Sequence, residues 1–233
     1  MRDRNIIIAG GSTGIGLSLV KALSAENNVI EYSRSGTKSE EAPGVTHRYL
    51  DVMSEVWELG TLPKVVDGFV YSPGTINLKP FRRISGSDML MDFRLNVVGA
   101  FRFIQMIYPH LRKSEHASVV LFSTVAAGTG MAFHSSVAAS KGAIEGLVRS
   151  LAAEFAPRIR VNAVAPSLTD TPLAASLLAT EKRRDQSADM HPLKRYGTVV
   201  DQVNAVKFLL GEESSWITGQ ILHVDGGLSA VRG

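Results

Sequence analysis

The 233-residue sequence contains no cysteine. This absence excludes disulfide bonds, thiol nucleophiles and sulfur-ligated metal sites, and it is typical of proteins that work in a reducing compartment. Long hydrophobic runs are also missing, since stretches such as NIIIAG and DGFVYSPG are too short to span a bilayer. No basic segment leads into an apolar one at the start. We therefore expect no signal peptide, no membrane partner and a cytoplasmic location.

A concentrated patch of positive charge is absent as well. The net charge is +3, but the basic residues are scattered, and the densest cluster, EKRRDQ, contains its own acidic residues. This pattern is typical of a solvated surface and predicts no nucleic-acid partner. The six histidines and the carboxylates show no spacing typical of metal ligands. We therefore expect no metal site.

Short apolar runs alternate with longer helical patterns along the whole chain. NIIIAG, NVIEYS, VTHRYLDV, VVDGFVYSPG, ASVVLFST, IRVNAVAP and GQILHVDGG read as strands, and SDMLMDFRLNVVGAFRFIQMIYPHL reads as one long helix. This alternation predicts an α/β fold: a single-domain Rossmann-type, doubly wound parallel β-sheet with helices on both faces. No linker divides residues 1–233, and a helical insert is expected at about 171–197.

The segment IIIAGGSTGIGLSLV predicts a strand, a tight turn and a helix in close succession. Gly10, Gly14 and Gly16 allow backbone angles that other residues avoid and let the chain approach a pyrophosphate closely. The helix that follows directs its free N–H groups at such a phosphate, and Ser12 and Thr13 can add hydroxyl donors. The alternative is a glycine turn that serves only strand–helix packing.

The end of the second strand, EYSRSGTK, bears on the choice of nucleotide. NAD-binding proteins usually place an acidic residue there, whereas this chain has Ser33 followed by Arg34. A guanidinium beside a small hydroxyl suits a 2′-phosphate, because it can bind two phosphate oxygens and no carboxylate repels them. The pattern favours NADP(H) over NAD(H). The alternative is that Arg34 is a solvated loop charge.

Several motifs occur together in a characteristic order: AGGSTGIG, LDV with Asp51, Gly74 after the fourth strand, LNVVGAF, Lys141 in SK, RVNAVAP ending at Pro166, and VDGG. With these motifs the chain resembles the short-chain dehydrogenase/reductase superfamily, in particular the group of 3-oxoacyl-carrier-protein reductases. The resemblance extends over essentially the whole sequence. It implies a nicotinamide cofactor and a small-molecule carbonyl or alcohol substrate.

The resemblance also implies roles for individual residues around the cofactor. Asp51 and Val52 would contact the adenine, Gly74 would let the chain pass the adenine-side ribose, and Lys141 would hold the nicotinamide ribose. The Thr169 backbone would meet the carboxamide, and Thr171 would reach the pyrophosphate. The complete predicted cofactor set is Gly10, Ser12, Thr13, Gly14, Ile15, Gly16, Ser33, Arg34, Asp51, Val52, Gly74, Lys141, Pro166, Thr169 and Thr171.

The catalytic positions implied by the resemblance are only partly kept. Asn96 would anchor a water in a proton relay, Thr124 stands at the position of a carbonyl-binding serine, and Lys141 is present. The position of the proton-donating tyrosine, four residues before the lysine, is occupied by Val137. No Tyr-x-x-x-Lys occurs anywhere in the chain, so a shifted alignment does not restore the acid. Ser167 replaces the usual glycine after Pro166 in a further, milder departure.

A neighbouring side chain can be considered as a substitute acid. His134 lies three residues before Val137 and seven before Lys141, so on a helix the three would share one face. Imidazole titrates near neutrality and can act as a general acid. Alternatively, His134 is a helix-end residue or a wall of the substrate pocket. Tyr196, after the insert, is a weaker candidate phenol.

Two functions follow from these observations. The first is an NADP(H)-dependent short-chain oxidoreductase that moves a hydride between nicotinamide and a carbonyl or alcohol, with an atypical proton donor. The alternative is a catalytically weak NADP(H)-binding protein that serves as a sensor or subunit. The insert at about 171–197 stands where the family has its substrate lid. Apolar positions on FRFIQMIY and AIEGLVRSLAAEF, together with the resemblance, predict a homotetramer or homodimer.

Overall fold

The computed structural model describes residues 1–35 and 44–231. Its seven strands are β1 (Asn5–Ala9), β2 (Asn28–Ser33), β3 (Val45–Tyr49), β4 (Gly68–Tyr71), β5 (Ala117–Phe122), β6 (Ile159–Pro166) and β7 (Ile221–Val224). Its α-helices are α1 (Gly14–Ser24), α2 (Gly86–Phe93), α3 (Gly99–Leu111), α4 (Ala126–Thr129), α5 (Ser135–Phe155), α6 (Glu181–Met190) and α7 (Val199–Leu210).

The strands form one parallel sheet in the order β3-β2-β1-β4-β5-β6-β7. The direction of winding reverses between β1 and β4. In such sheets, ligands bind outside the carboxyl ends of the strands at this point. The predicted single-domain, doubly wound fold is therefore confirmed.

The core lies in two layers, one on each face of the sheet. Alternate residues of β1 separate between them, with Ile7 on the α3 and α5 side and Ile6 and Ile8 on the α1 and α7 side. The β-strand periodicity of two produces this division. Because both faces are covered, the strands are apolar almost throughout.

The long helix predicted over SDMLMDFRLNVVGAFRFIQMIYPHL is interrupted by a π-helical turn at Arg94–Val98, between α2 and α3. The wider turn leaves the carbonyl of Leu95 to accept a hydrogen bond from the buried Tyr71 hydroxyl at 2.6 Å. At Gly99 an added Cβ would lie 2.2 Å from that hydroxyl. The π turn holds Asn96, which is fully buried. Such turns often occur at functional sites.

Candidate active site

The glycine-rich turn joins β1 to α1 at the carboxyl edge of the sheet. An ideal Cβ on Gly16 would lie 2.0 Å from the carbonyl oxygen of Gly10, so only glycine fits there. Thr13 precedes the helix in an extended conformation, and its side chain makes no capping hydrogen bond. Because the first-turn amides of a helix have no intrahelical partner, the turn presents N–H donors suited to an anion.

A buried carboxylate, that of Glu31, accepts a hydrogen bond from the backbone of this turn. The Gly11 amide donates to Glu31 Oε1 at 3.0 Å, and His47 Nδ1 contacts the other oxygen of the same carboxylate. Glu31 is completely buried in β2. Sequence reasoning missed this contact. The signal was a single acidic residue inside the otherwise apolar strand NVIEYS.

The ends of β2 and β3 bring together the residues predicted to select the nucleotide. Ser33 is buried, and its hydroxyl has no hydrogen-bond partner among the described residues. Arg34 follows it at an exposed position. The Leu50 amide donates to the Ser33 carbonyl at 3.0 Å, which places Asp51 beside this corner. The carboxylate of Asp51 accepts from the Met53 amide at 2.9 Å, and Val52 packs against the core.

Asn96 and Lys141 lie on either side of a small space beside Gly74. An ideal Cβ on Gly74 would lie 3.5 Å from Asn96 Oδ1 and 3.6 Å from Lys141 Nζ, so both atoms border the same small space. Lys141 Nζ donates to the carbonyl of Phe122 at 2.8 Å. Asn96 Oδ1 is buried and has no hydrogen-bond partner within residues 1–35 and 44–231, whereas its amide nitrogen is 2.8 Å from the Asp92 carbonyl. Because buried polar atoms are normally hydrogen-bonded, this oxygen is suited to accept a hydrogen bond from a bound molecule.

A second buried carboxylate lies near this pair. Asp92 is 2% exposed and accepts hydrogen bonds from Ser136 Oγ at 2.5 Å and Thr75 Oγ1 at 2.7 Å. Burial lowers the pKa of Lys141 to about 8, and the negative charge of Asp92 partly offsets this effect. Sequence reasoning did not identify Asp92. The available signal was its position four residues before Asn96, on the same helix face.

The lowered pKa of Lys141 predicts how the stability of the protein depends on pH. Lys141→Met should raise the midpoint of thermal unfolding at pH 7 by several degrees, because methionine removes the cost of burying an ammonium. Below pH 8 the lysine is protonated in both the folded and the unfolded chain, so the cost is fully present. Between about 8 and 10.5 the folded protein loses the proton first, so the advantage of the variant should shrink as pH rises.

The measurement is calorimetric unfolding of both proteins from pH 6 to 10.5. The matched control is Lys207→Met on α7, an exposed lysine that should show no such pH dependence. An advantage of Lys141→Met that stays constant over this range would contradict the prediction.

Three of the four predicted catalytic residues border one cavity of about 690 Å³, whereas the fully buried Asn96 does not line it. Thr124, His134, Val137 and Lys141 all line it, and so does Ile15 from the glycine turn. Thr124 Oγ1 accepts a weak hydrogen bond from the Ala126 amide at 3.4 Å, so its own proton is available to the cavity. Tyr196 is not among the described residues that line the cavity. The cavity thus unites the side chains of β5 and α5 with the glycine turn.

His134 stands just before α5 rather than within its regular turns. Its backbone angles are φ −99 and ψ 8, and its Nδ1 lies 2.7 Å from the carbonyl oxygen of Ala132. Val137 is 6% exposed and lies in the first turn of the helix. The structure therefore brings His134 to the same cavity as Val137 but not onto the continuous helix face that the spacing suggested.

The loop after β6 closes the site over the glycine turn. Thr171 Oγ1 accepts a hydrogen bond from the Ala174 amide at 3.3 Å and caps a short 3₁₀ helix, Pro172–Ala174. An ideal Cβ on Gly14 would be 3.6 Å from Thr171 Cβ, so the threonine lies against the turn. Thr169 is buried and donates to the Ser167 carbonyl at 3.0 Å. Pro166, Thr169 and Thr171 all line the cavity.

A serine–histidine pair also lies at the cavity and was missed by sequence reasoning. Ser167 lines the cavity, and its Oγ is 2.8 Å from Nε2 of His191. His191 is 1% exposed, and its Nδ1 is 2.6 Å from the carbonyl oxygen of Ser187. The only signal was the serine that replaces the usual glycine after Pro166.

The described residues contain neither a metal-binding cluster nor a membrane-spanning helix. Within residues 1–35 and 44–231, no three His, Asp or Glu side chains are grouped so that they could hold a metal ion. In the same part of the chain, no helix has both the length and the apolar character needed to cross a membrane.

Known proteins share this arrangement over nearly the full chain. A family model described as Enoyl-(Acyl carrier protein) reductase matches residues 52–229. A tropinone reductase homolog of Arabidopsis thaliana is 31% identical over 98% of this chain and 94% of its own length. The L-xylulose reductase of Bos taurus is 31% identical over 99% of this chain and 98% of its own length.

A solved structure agrees with these sequence relatives. The aldohexose dehydrogenase of Thermoplasma acidophilum superposes with a TM-score of 0.88 at 28% identity, covering 99% of this chain and 96% of its own. Fold, site and relatives together define an oxidoreductase of the class that transfers hydride with a nicotinamide cofactor. The chain belongs to the short-chain dehydrogenase/reductase superfamily.

Proposed function

We propose that this protein is an NADP(H)-dependent oxidoreductase acting on a small carbonyl or alcohol, with a proton donor other than residue 137. The observation that carries the proposal is that Lys141 Nζ and Asn96 Oδ1 both border the space beside Gly74, and that Gly74 and Lys141 line a cavity that extends to the glycine turn. A reduced nicotinamide bound here would supply a hydride to a carbonyl carbon, and the carbonyl oxygen would then need a proton. The protein must position the substrate and deliver that proton.

The residues present fit a nicotinamide nucleotide. The turn at Gly10–Gly16, which includes Ser12, Thr13 and Ile15, would hold the pyrophosphate, with Thr171 against it. Asp51 and Val52 would face the adenine, and Lys141 would hold the nicotinamide ribose. The buried oxygens Ser33 Oγ and Asn96 Oδ1 have no hydrogen-bond partner in the described part of the chain, which supports the presence of a polar ligand at both ends of the site.

The preference for NADP(H) rests on Ser33 and Arg34. A buried serine in place of an acidic residue leaves no negative charge at the strand end, and the exposed guanidinium beside it can bind a 2′-phosphate. A hydrogen bond to a charged group contributes about 1.5–3 kcal/mol.

Arg34→Ala should therefore weaken NADPH binding by about 10- to 100-fold while leaving NADH binding unchanged. Calorimetric titration of both nucleotides measures this, with Arg158→Ala, an exposed arginine at the opposite edge of the sheet, as the control. Equal losses for NADPH and NADH would refute the 2′-phosphate role. No binding of either nucleotide to the unmodified protein would refute the proposed function itself.

The proton donor is the atypical part of the site. Val137 lies at the cavity where the family has its tyrosine, and its side chain has no ionisable proton. Thr124, Asn96 and Lys141 would bind the reacting oxygen and connect it to solvent, and His134 is the candidate acid from the sequence. Val137 also favours the alternative of an NADP(H)-binding protein. Nucleotide binding without turnover on any carbonyl would support that alternative.

The cavity walls bear on the substrate. Leu173 and Leu177, from the segment after β6, and Met190 at the end of α6 form an apolar side of the cavity. We propose that the insert at about 171–197 is a substrate lid whose apolar face contacts a mainly non-polar small molecule. Arg183 and Gln186 provide polar groups on the same side.

We also propose that the protein is a homo-oligomer, either a dimer or a tetramer. Large apolar side chains remain exposed on α2 and α3, including Leu90, Met91 and Phe101. Exposed apolar side chains on two consecutive helices favour a protein–protein contact there.

A further inference from the structure

We propose that Ser167 donates the proton to the reacting oxygen and that His191 supplies Ser167 with its replacement. This inference rests on the proposed function and identifies the acid that Val137 cannot be. It depends on three observations: Ser167 lines the cavity, His191 is buried, and both nitrogens of the His191 ring are hydrogen-bonded.

Ser167 is close to the residue that would bind the carbonyl. Strands β5 and β6 pair in parallel with Phe122 opposite Val164, so Thr124 is opposite Pro166 two residues further on. The Val125 amide donates to the Pro166 carbonyl at 3.1 Å, which continues the pairing beyond the strand. Ser167 therefore follows directly after the residue across from Thr124, and both side chains line the cavity.

The partners of His191 determine which ring nitrogen carries a proton. The Ser187 carbonyl can only accept a hydrogen bond, so Nδ1 at 2.6 Å must be the donor. When the ring is neutral, Nε2 accepts the proton of Ser167 Oγ at 2.8 Å. When the ring is protonated, Nε2 donates to Ser167 Oγ, and the hydroxyl proton is free to point at a substrate in the cavity.

The proton transfer balances in both directions. During reduction the Ser167 O–H bond breaks as its proton forms the new O–H bond of the alcohol. At the same time the proton on Nε2 of His191 moves to Ser167 Oγ, and the imidazolium becomes neutral. The ring regains a proton through Ser167 from the open cavity after the product leaves. During oxidation of an alcohol, neutral His191 accepts the proton through Ser167.

Among the described residues, no charged side chain is hydrogen-bonded to the His191 ring. Of the charged groups on the elements around it, Arg183 and Lys141 line the same cavity, Asp189 and Lys194 are close to His191 in the sequence, and Asp225 precedes Gly226. The other charged side chains of α6 are Glu181, Lys182, Arg184 and Asp185. Asp225 is occupied by the amides of Gly227 and Ser229, each at 2.9 Å. An ideal Cβ on Gly226 would be 3.4 Å from His191, so the Gly226 backbone packs beside the ring, which is 1% exposed. Its exchange route therefore runs through Ser167.

The test uses Ser167→Ala and His191→Gln, with His134→Ala as the rival donor and His223→Gln, an exposed histidine on β7, as the control. Ethyl 4-chloroacetoacetate, diacetyl and 9,10-phenanthrenequinone serve as carbonyl probes with NADPH. We expect kcat to fall about 100-fold in both relay variants, with NADPH affinity unchanged. The pH profile of kcat in the unmodified protein should contain a step that His191→Gln lacks, because only the relay passes protons through the imidazole.

A second readout needs no cofactor or turnover. Nitrogen-15 NMR of the imidazoles should show His191 protonated at Nδ1 at high pH, and Ser167→Ala should shift its Nε2 resonance. The proposal is overturned if Ser167→Ala and His191→Gln keep kcat within twofold of the unmodified protein. It is also overturned if His134→Ala is the variant that loses activity. If the protein binds NADPH but turns over none of the three probes, the relay is refuted. If it binds no NADPH, the proposed function fails first.

Discussion

Gly16→Ala should reduce NADPH affinity by more than 100-fold while the chain remains folded. The added Cβ would lie 2.0 Å from the Gly10 carbonyl oxygen and 2.9 Å from its carbon, both backbone atoms that cannot rotate away. The turn would have to open, and the amides at the start of α1 would no longer converge on a pyrophosphate. Because Gly16 lies in the first turn of α1, we expect the sheet and the remaining helix to persist.

Isothermal calorimetry with NADPH gives the affinity, and circular dichroism checks the fold. The matched control is Gly146→Ala in α5, where an added Cβ meets nothing within 4 Å. That variant should bind NADPH normally and gain about 0.5–1 kcal/mol of stability, since alanine favours a helix over glycine. If the Gly16→Ala variant binds NADPH with an affinity within threefold of the unmodified protein, the glycine turn is not part of the cofactor site.

The parts of this structure that sequence reasoning anticipated are those set by local pattern. Apolar runs with helical segments between them predicted which segments are strands. The spacing of Gly10, Gly14 and Gly16 predicted the tight turn after β1, which is the point where the winding direction of the sheet reverses. The π turn around Asn96 was not anticipated, because hydrophobic periodicity does not distinguish a helix with one wider turn from a regular one.

The missed parts are contacts between residues far apart in the chain. Glu31 meets His47 because β2 and β3 are neighbours, and Asp92 meets Ser136 across the packing of α2 on α5. Ser167 meets His191 because the chain after α6 returns to the end of β6. Each pair joins polar groups that look unremarkable alone, and only the tertiary fold shows that they are buried together.

These buried pairs support different parts of the same site. The Glu31 carboxylate holds the glycine turn through the Gly11 amide, and Asp92 moderates the loss of charge at Lys141. Buried carboxylates are costly unless they are hydrogen-bonded, and here each accepts at least two hydrogen bonds. The polar interior is thus arranged around the cofactor and the reacting oxygen, although residue 137 has no proton to give.

Val137→Tyr should raise kcat for carbonyl reduction by about 100-fold, because it places a phenol four residues before Lys141 on one helix face. The lysine ammonium would favour the phenolate and so lower the pKa of the new tyrosine. Val137 borders the cavity of about 690 Å³, so the ring can extend into open space and need not displace the core.

The control is Val137→Phe, which adds the same ring without the hydroxyl. Steady-state kinetics with NADPH and ethyl 4-chloroacetoacetate should show a gain for tyrosine and none for phenylalanine. In the double variant Val137→Tyr with Ser167→Ala the gain should persist, because the phenol then delivers the proton that Ser167 delivers in the unmodified protein. Equal rates for the tyrosine and phenylalanine variants would contradict the prediction. They would show that another step, such as hydride transfer or product release, limits turnover instead of proton supply.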